Sequence, residues 1–297
     1  MSNITLKQLR YFEALARLGH FGQAADACAV SQPALSVQIK ELEMRLGGPL
    51  FLREPRRVML THLGIEMLER ARAILHSVDE LEDLARAAQS SLQGQLRIGI
   101  IPTIAPYLLP AILDPLTRAF PDADIHIRET MTPVLIQELS DGQLDTAILA
   151  LPISEPWLSE HPLFDESFVL VRPEGEATLP VPDPSDLQKM RLLLLEEGHC
   201  FRDQALAFCN IPASQRARTL DGTTLSTLVR MVEAGFGVTL IPEMAIASET
   251  RSAQVSTAHF TAPRPSRTIG MVWRKSSPLA GHFQGMAAII REVQGTL

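Results

Sequence analysis

Apolar residues recur at helical spacing over the first fifty positions of the chain. Leu6, Leu9, Phe12 and Leu15 form one stripe and predict a first helix. Gly19 is expected to end it. The Ala-rich stretch "HFGQAADACAV" predicts a short second helix. The stretch "SQPALSVQIKELEMRLG" predicts a third, because its Ser can cap the first turn and its Gly can end the last.

The predicted third helix carries a polar face. Gln32, Ser36 and Lys40 follow one another at intervals of four residues, and Pro33 lies in the tolerated first turn. An amide, a hydroxyl and a cation are suited to contact base edges and phosphates. A polar helix after a short helix and a tight turn is typical of a DNA-binding helix-turn-helix. A small helical bundle with a solvated face would give the same pattern.

A β-hairpin is predicted directly after these helices. The stretch "LFLREPRRVMLT" has two short apolar runs around a turn, with Arg53, Arg56 and Arg57 near its tip. A cationic hairpin beside a polar helix is placed to contact phosphates. The hairpin therefore favours the DNA-binding interpretation over the helical bundle.

A long helix is predicted from "THLGIEMLERARAILHSVDELEDLARAAQSSLQG". Leu68, Ala71, Leu75, Val78 and Leu81 form an apolar seam along it, with charged residues elsewhere. Such a seam needs a partner surface. A second copy of the helix would provide one, and packing against the chain's own domains is the alternative.

Short runs of apolar residues alternate with helical runs after position 95. "QLRIGII", "DTAILAL" and "SFVLV" predict strands, whereas "YLLPAILDPLTRAF" and "TPVLIQELSDG" predict helices. This alternation predicts an α/β domain with a mainly parallel sheet. Ligands of such sheets bind at the carboxyl ends of strands, and Thr103 in "IPTIAPYLLP" occupies such an end.

Composition narrows the class of protein. The 297 residues suit two or three domains, and three cysteines make no disulfide framework. The amphipathic start has no apolar signal-peptide core, and no apolar run reaches membrane-spanning length. We therefore expect a cytoplasmic protein with no membrane partner. No metal-ligand cluster and no glycine-rich nucleotide loop is apparent, so we expect neither a metal nor a cofactor.

Charge is distributed unevenly along the chain. Residues 1–70 contain nine Lys/Arg and seven Asp/Glu, whereas the rest contains 18 Lys/Arg and 27 Asp/Glu. A mildly basic head on an acidic body permits the head to bind nucleic acid.

Two of the three cysteines lie in "EEGHCFRDQALAFC", nine positions apart. The segment after the His is predicted to be helical, so Cys200 would lie at a helix N-terminus, which favours a thiolate. His199 and Arg202 could supply a hydrogen-bonding group and a cation. A helix over residues 200–209 would separate the two Cα atoms by about 13.5 Å. A disulfide needs Cα atoms within roughly 7 Å, so the bond would require unwinding. By their spacing alone, both cysteines could instead be structural.

The head resembles the winged helix-turn-helix of LysR-type transcriptional regulators over nearly all of its first 64 residues. The resemblance implies a winged DNA-binding domain (1–62), a dimerising linker helix (63–93) and a two-lobed regulatory domain (94–297) similar to periplasmic binding proteins. Lobe I would comprise residues 94–164 and 268–297, and lobe II residues 165–267. It further implies double-stranded promoter DNA and RNA polymerase as partners, and assembly as a dimer of dimers.

The cysteine segment is similar to that of the peroxide-sensing OxyR branch of this family. The likeness extends to "IPTIAPYLLP", "TTLSTLVRMVEAGFGVTLIP" and "VWRKSSPL". It implies that Cys200 reacts with hydrogen peroxide to give a sulfenic acid and that Cys209 resolves it to a disulfide. The implied peroxide pocket comprises Thr103, Thr132, His199, Cys200, Arg202, Asp203 and Arg274.

Two positions depart from the branch and two other functions compete. Phe201 is bulkier than the aliphatic residue expected there, and Pro55 at the hairpin tip could alter phosphate contacts.

One competing function is a LysR-type regulator of a small organic ligand, with incidental thiols. The other is a thiol peroxidase, an enzyme that shares the activated cysteine but needs no DNA-binding head.

Overall fold

The computed structural model of the chain describes residues 4–54, 57–87, 92–209, 220–262 and 264–295. The chain divides into two compact units, Met1–Ala85 and Arg86–Leu297. The first unit contains the predicted head and most of the long helix, and the second contains the α/β region.

Three helices, a hairpin and most of a long helix form the first unit. Their bounds are α1 Leu6–Leu18, α2 Phe21–Ala27, α3 Gln32–Leu46, β1 Phe51–Glu54, β2 Arg57–Leu60 and α4 His62–Ala87. The caps follow the sequence pattern: Ser31 Oγ accepts a hydrogen bond from the Ala34 amide, and Gly19 and Gly47 end their helices in the left-handed conformation. The predicted helices and hairpin are confirmed, although residues 55–56 at the hairpin tip lie outside the described ranges.

Part of the long helix packs against the head of the same chain. Leu68, Ala71 and Leu75 pack against the core formed by α1, α2 and α3. Leu81, by contrast, is 67% exposed, and Leu84 is exposed too. The seam is therefore divided, since its first half is covered within the chain and its second half faces outward.

One nine-stranded sheet organises the second unit. Its strands are β3 Gly94–Ile100, β4 Ala123–Glu129, β5 Thr146–Leu151, β6 Leu158–Pro173, β7 Leu192–Leu195, β8 Leu220–Gly222, β9 Val238–Pro242, β10 Val255–His259 and β11 Ser266–Arg274. Its helices are α5 Ala105–Ala119, α6 Thr132–Ser140, α7 Pro184–Leu187, α8 Cys200–Phe208, α9 Leu225–Glu233, α10 Ile246–Glu249 and α11 Ala280–Gln294.

The sheet is mixed rather than mainly parallel. Its order is β4-β3-β5-β11-β6-β9-β7-β8, with β10 also paired to β6. Pairs among β3, β4 and β5 and among β7, β8 and β9 are parallel, as the alternation of strands and helices predicts. The pairs that involve β6 and β11 are antiparallel. These two strands join the two parallel groups, which is why the expectation of a mainly parallel sheet was wrong.

Two apolar cores lie along this sheet. The first core packs β3, β5 and β11 against α5, α6 and α11. The second core packs β7 and β9 against α8 and α9. The start of α8 lies where the two cores meet, since Cys200 packs against the first core and Phe201 belongs to the second.

Candidate redox site

The segment that carries both cysteines begins in a tight turn and continues as α8. Gly198 has φ +97°, and a Cβ atom there would lie 2.8 Å from Met131 Sδ beside the start of α6. Glycine is thus required both for the backbone conformation and for the close approach. His199 is the N-cap residue and Cys200 is the first residue of α8. The turn therefore places Cys200 at a helix N-terminus, as predicted.

The two thiols occupy different surroundings. Cys200 is partly buried and packs against the first core. Cys209, directly after the last turn of α8, is 0% exposed and belongs to the second core. Burial raises the pKa of the Cys209 thiol to about 12. Both cysteines are free thiols, and the intervening helix separates their Cα atoms by about 13.5 Å at roughly 1.5 Å per residue.

A buried arginine that the sequence analysis did not single out joins three elements near Cys200. Arg267 Nη1 donates to Thr103 Oγ1 at 2.8 Å, and Nη2 donates to the Thr103 carbonyl oxygen at 3.1 Å. Arg267 Nη2 also lies 2.7 Å from Glu166 Oε2, and both side chains are almost fully buried. Glu166 Oε1 accepts from the Met244 amide at 3.3 Å. Burial raises the pKa of Glu166, and the positive charge of Arg267 opposes this shift.

The residue after Cys200 packs against the same arginine. The Phe201 ring is 2% exposed and lies edge-on to Phe168, with ring centroids 4.8 Å apart. The guanidinium carbon of Arg267 is 5.3 Å from the Phe201 ring centroid, within the range of a cation–π contact. The first turn of α8 is thereby fixed to both β6 and β11.

Thr103 contacts this region directly, whereas Thr132 is linked to it only through its neighbour Met131. Thr103 follows β3, and its Oγ1 accepts a hydrogen bond from Arg267, which leaves the hydroxyl hydrogen available as a donor. Thr132 is the first residue of α6, next to the Met131 side chain that contacts Gly198. Its Oγ1 is buried and has no hydrogen-bond partner. An unpartnered buried hydroxyl is unusual and is suited to receive a small polar ligand.

His199 and Asp203 flank the thiol differently. His199 and Thr103 line one cavity of about 170 Å³ together with Tyr107 and Glu249. Burial lowers the pKa of His199, so its imidazole is neutral at pH 7. Asp203 is exposed in the first turn of α8.

Arg202 is not beside the thiol. Its Nη1 donates to the Leu195 carbonyl oxygen and to Asp221 Oδ1, both at 2.7 Å. Side chains two residues apart on a helix do not face each other, so the guanidinium lies on another face of α8 than Cys200. Arg202 therefore joins α8 to β7 and β8, and the expectation of a cation beside Cys200 is not met by this residue.

Arg274 lies at the opposite end of the first core. Its Nη1 donates to the carbonyl oxygens of Leu139 and Leu144, at the end of α6 that is remote from Thr132. Arg274 lies opposite Leu158, the first residue of β6, and two residues beyond Val272, which lies opposite Ala147 near the start of β5. Thr103, by contrast, follows the end of β3, which runs parallel to β5. The sequence-based assignment of Arg274 to the pocket is thus corrected. Both arginines are in β11, and the pattern gave no reason to prefer Arg267.

The residues expected to contact DNA lie on the first unit. Gln32, Pro33 and Lys40 are exposed on α3, and Ser36 is half-buried on the same helix. Arg53 and Arg57 belong to the paired strands β1 and β2, but their side chains lie outside the described part of the structure, as does Arg56 entirely. No cluster of possible metal ligands occurs among the described residues. Within those same ranges, no helix has the length and apolarity that crossing a bilayer requires.

Family models match both units. The family described as "Bacterial regulatory helix-turn-helix protein, lysR family" matches residues 6–65, and "LysR substrate binding domain" matches residues 89–295. The chain therefore belongs to the LysR family of bacterial transcriptional regulators.

Its relatives place it within the OxyR branch of that family. It is 40% identical to the "DNA-binding transcriptional dual regulator OxyR" of Escherichia coli K12, over 97% of this chain and 95% of the relative. It is also 40% identical to a "Hydrogen peroxide-inducible genes activator" of Dickeya chrysanthemi, with the same coverage.

Solved structures of OxyR proteins are also similar to this chain. A full-length OxyR variant from Pseudomonas aeruginosa has a TM-score of 0.78 and 37% identity, covering 97% of this chain and 95% of that one. A hydrogen-peroxide-bound OxyR mutant from Corynebacterium glutamicum has a TM-score of 0.67 and 36% identity, with 98% and 93% coverage.

Proposed function

We propose that this chain is a hydrogen-peroxide-sensing transcriptional regulator in which Cys200 is the reacting thiol. The Cys200 thiolate attacks one peroxide oxygen and the O–O bond breaks. The sulfur loses two electrons and keeps a hydroxyl group as sulfenic acid, while the second oxygen leaves as hydroxide and takes up a proton to form water. Cys200 is the first residue of α8, so its sulfur lies at the start of this helix.

The two threonines are proposed as the groups that hold peroxide. Thr103 can donate its hydroxyl hydrogen while it accepts from Arg267, and the Thr132 hydroxyl is buried without a partner. Donors aimed at the leaving oxygen stabilise the charge that develops on it. Neutral His199 is placed to accept or donate a proton at the edge of this region. Asp203, exposed nearby, is proposed to assist proton transfer through solvent.

Cys209 is proposed to resolve the sulfenic acid. The sulfenic acid and the Cys209 thiol condense to a disulfide with loss of one water molecule. Since α8 separates the two Cα atoms by far more than the roughly 7 Å that a disulfide allows, residues 200–209 must unwind. Unwinding removes Phe201 and Cys209 from the second core, and this refolding is the proposed signal.

The first unit is proposed to carry the signal to promoter DNA. Exposed Gln32, Pro33 and Lys40, together with Ser36, would contact base edges and phosphates. The arginines Arg53, Arg56 and Arg57 of the hairpin would contact the backbone. By family resemblance, RNA polymerase is the further protein partner and promoter DNA is bound by paired heads.

Assembly and location complete the proposal. Ile74, Leu81 and Leu84 are exposed on α4 and are proposed to pair with a second copy, with a dimer of dimers as the assembled state. Residues 1–62, 63–93 and 94–297 are kept as the proposed divisions, with the two lobes meeting near residues 164 and 268. Free thiols suit a reducing compartment, so we place the protein in the cytoplasm.

The contrast between the two thiols is the observation that carries this proposal. Its test is mass-spectrometric counting of free thiols before and after one equivalent of hydrogen peroxide, alongside binding to promoter DNA. Loss of two thiols per chain and a changed DNA footprint are expected. A regulator of an organic ligand would keep both thiols and ignore added reductant. A thiol peroxidase would consume many equivalents of peroxide with a reductant and leave the footprint unchanged.

A further inference from the structure

Phe201, the residue after Cys200, is held by aromatic and cationic side chains from two other strands. Its ring is 2% exposed, lies edge-on to Phe168 of β6 and stacks beneath the guanidinium of Arg267. Arg267 is itself held by Glu166 and by both oxygens of Thr103. One ring thus joins the first turn of α8 to β6 through Phe168 and to β11 through Arg267.

The ring must leave this position before the two thiols can meet. Cys200 and Phe201 are adjacent, and α8 has to unwind for the Cα atoms of Cys200 and Cys209 to come within roughly 7 Å. Unwinding pulls the ring away from Phe168 and from Arg267 and exposes its apolar surface. The attack of Cys200 on peroxide, by contrast, needs no movement of α8.

We infer that Phe201 is a restraint that delays disulfide formation without affecting the first oxidation. The inference rests on the proposed function of Cys200 and Cys209 and adds a separate control point to it. Peroxide converts the Cys200 thiolate into sulfenic acid while α8 is intact. Condensation then forms the S–S bond, breaks the S–O bond and releases water, but only in the fraction of molecules in which Phe201 has left its site.

A lifetime for the sulfenic acid follows from this order of events. During that lifetime a reductant or a small thiol can return Cys200 to the starting state before the chain refolds. The ring therefore sets how long peroxide must persist before the protein switches. Phe201 acts as a positioning residue, because it is not assigned to contact peroxide.

The test compares two rate constants in the full-length protein. Stopped-flow mixing with hydrogen peroxide in a Cys209→Ser background gives the rate constant of Cys200 oxidation. Rapid acid quenching, alkylation and mass spectrometry with Cys209 present give the rate constant of disulfide formation. Phe201→Leu should raise the rate constant of disulfide formation by about tenfold, equivalent to about 1.4 kcal/mol. It should leave the rate constant of Cys200 oxidation within about twofold of the parent value.

Two further variants isolate the role of the ring. Phe201→Met keeps most of the side-chain volume but removes the stacking surface for Arg267, so it should raise disulfide formation by a smaller factor, about threefold. Phe283→Leu is the matched control, since it removes a buried aromatic ring that packs on Trp273 in the first core, away from α8. It should leave both rate constants unchanged.

The outcomes separate this inference from the function on which it rests. Disulfide formation at the parent rate in Phe201→Leu, while the parent protein itself reacts with peroxide, would overturn the inference alone. Slower oxidation of Cys200 in Phe201→Leu would also overturn it, because the ring would then serve the reaction with peroxide. A parent protein whose Cys200 does not react would refute both. Equal acceleration in Phe283→Leu would reduce the effect to general loss of stability and refute the restraint.

Discussion

The two ends of α8 carry the same functional group in opposite surroundings. At its start, Cys200 is partly buried beside His199, at the boundary of the two cores. At its end, Cys209 is fully buried among apolar side chains of the second core. Cys200 is the first residue of α8, whereas burial raises the pKa of Cys209 and keeps its thiol protonated. A single helix of nine residues thus separates a partly buried cysteine from a fully buried one.

The contrast shows why separation matters as much as activation. A resolving thiol that were exposed and ionised would itself react with peroxide, and the order of the two steps would be lost. In the proposed mechanism, burial of Cys209 prevents this until α8 unwinds. The same unwinding would bring Cys209 out of the second core and supply the thiol that condenses with the sulfenic acid.

The most severe way to break the contrast is Cys200→Ser. A hydroxyl lacks the nucleophilicity of a thiolate, so peroxide consumption and the transcriptional response should both be abolished. Peroxide consumption is measured with a peroxide electrode, and the response with a reporter promoter. Residual oxidation at Cys209 that exceeds a few per cent of the parent rate would contradict the assignment.

Alkylation should show a large difference between the native thiols. With a pKa of about 12, Cys209 has about one molecule in a thousand ionised at pH 9. Iodoacetamide at pH 9 should therefore label Cys200 at least about 100-fold faster than Cys209, as followed by mass spectrometry. In guanidinium chloride the two rates should converge, which serves as the control. Comparable labelling rates of the two thiols in the folded protein would show that Cys209 is accessible to the reagent.

Thr103→Val should have a moderate effect. One donor to peroxide is lost while the Cys200 thiolate remains, so oxidation of Cys200 should slow by about tenfold. Thr146→Val is the matched control, because Thr146 is also a buried threonine, whose hydroxyl donates to the Val272 carbonyl oxygen within the sheet. Stopped-flow fluorescence measures the rate of Cys200 oxidation in both variants, and thermal unfolding reports any general loss of stability. An equal effect of the two substitutions would argue against a role of Thr103 at the pocket.

Cys209→Ser should have the smallest effect on the first oxidation. The rate constant of Cys200 oxidation should remain within about twofold of the parent value, because Cys209 lies at the far end of α8. A sulfenic-acid trap such as dimedone should label Cys200 almost completely, and no disulfide should form. A tenfold slower first oxidation would mean that the two ends of the helix are not independent.

The sequence predicts local structure better than it predicts side-chain partners. Ser31, Gly19 and Gly47 mark the ends of helices because capping depends on residues adjacent in the chain. Arg267 and Arg274 could not be distinguished, because both are in β11 and their partners come from β6, α6 and the loop after β3. Contacts between residues more than 100 positions apart leave no periodic trace in the sequence.

The seam of α4 shows the same limit. Spacing identifies Leu68, Leu75 and Leu81 as one stripe, but only tertiary packing divides it into a half covered by the head and an exposed half. Leu81→Asp is consequently a cleaner probe of assembly than Leu75→Asp, which would also disturb the core of the head.

The pairing of β6 with β11 has a consequence for how the regulatory unit can be rebuilt. Ser167 lies opposite Ser266, and the Phe168 amide donates to the Pro265 carbonyl oxygen at 2.8 Å. Residues opposite each other in antiparallel strands have Cα atoms about 5 Å apart. The second core, which includes α8 and Cys209, is thus an insertion whose two ends are adjacent. Insertions with adjoining ends are readily accepted by a host fold. We therefore expect that the segment between these two positions can be exchanged between LysR-family regulators, which would give the thiol pair to a regulator of another operator.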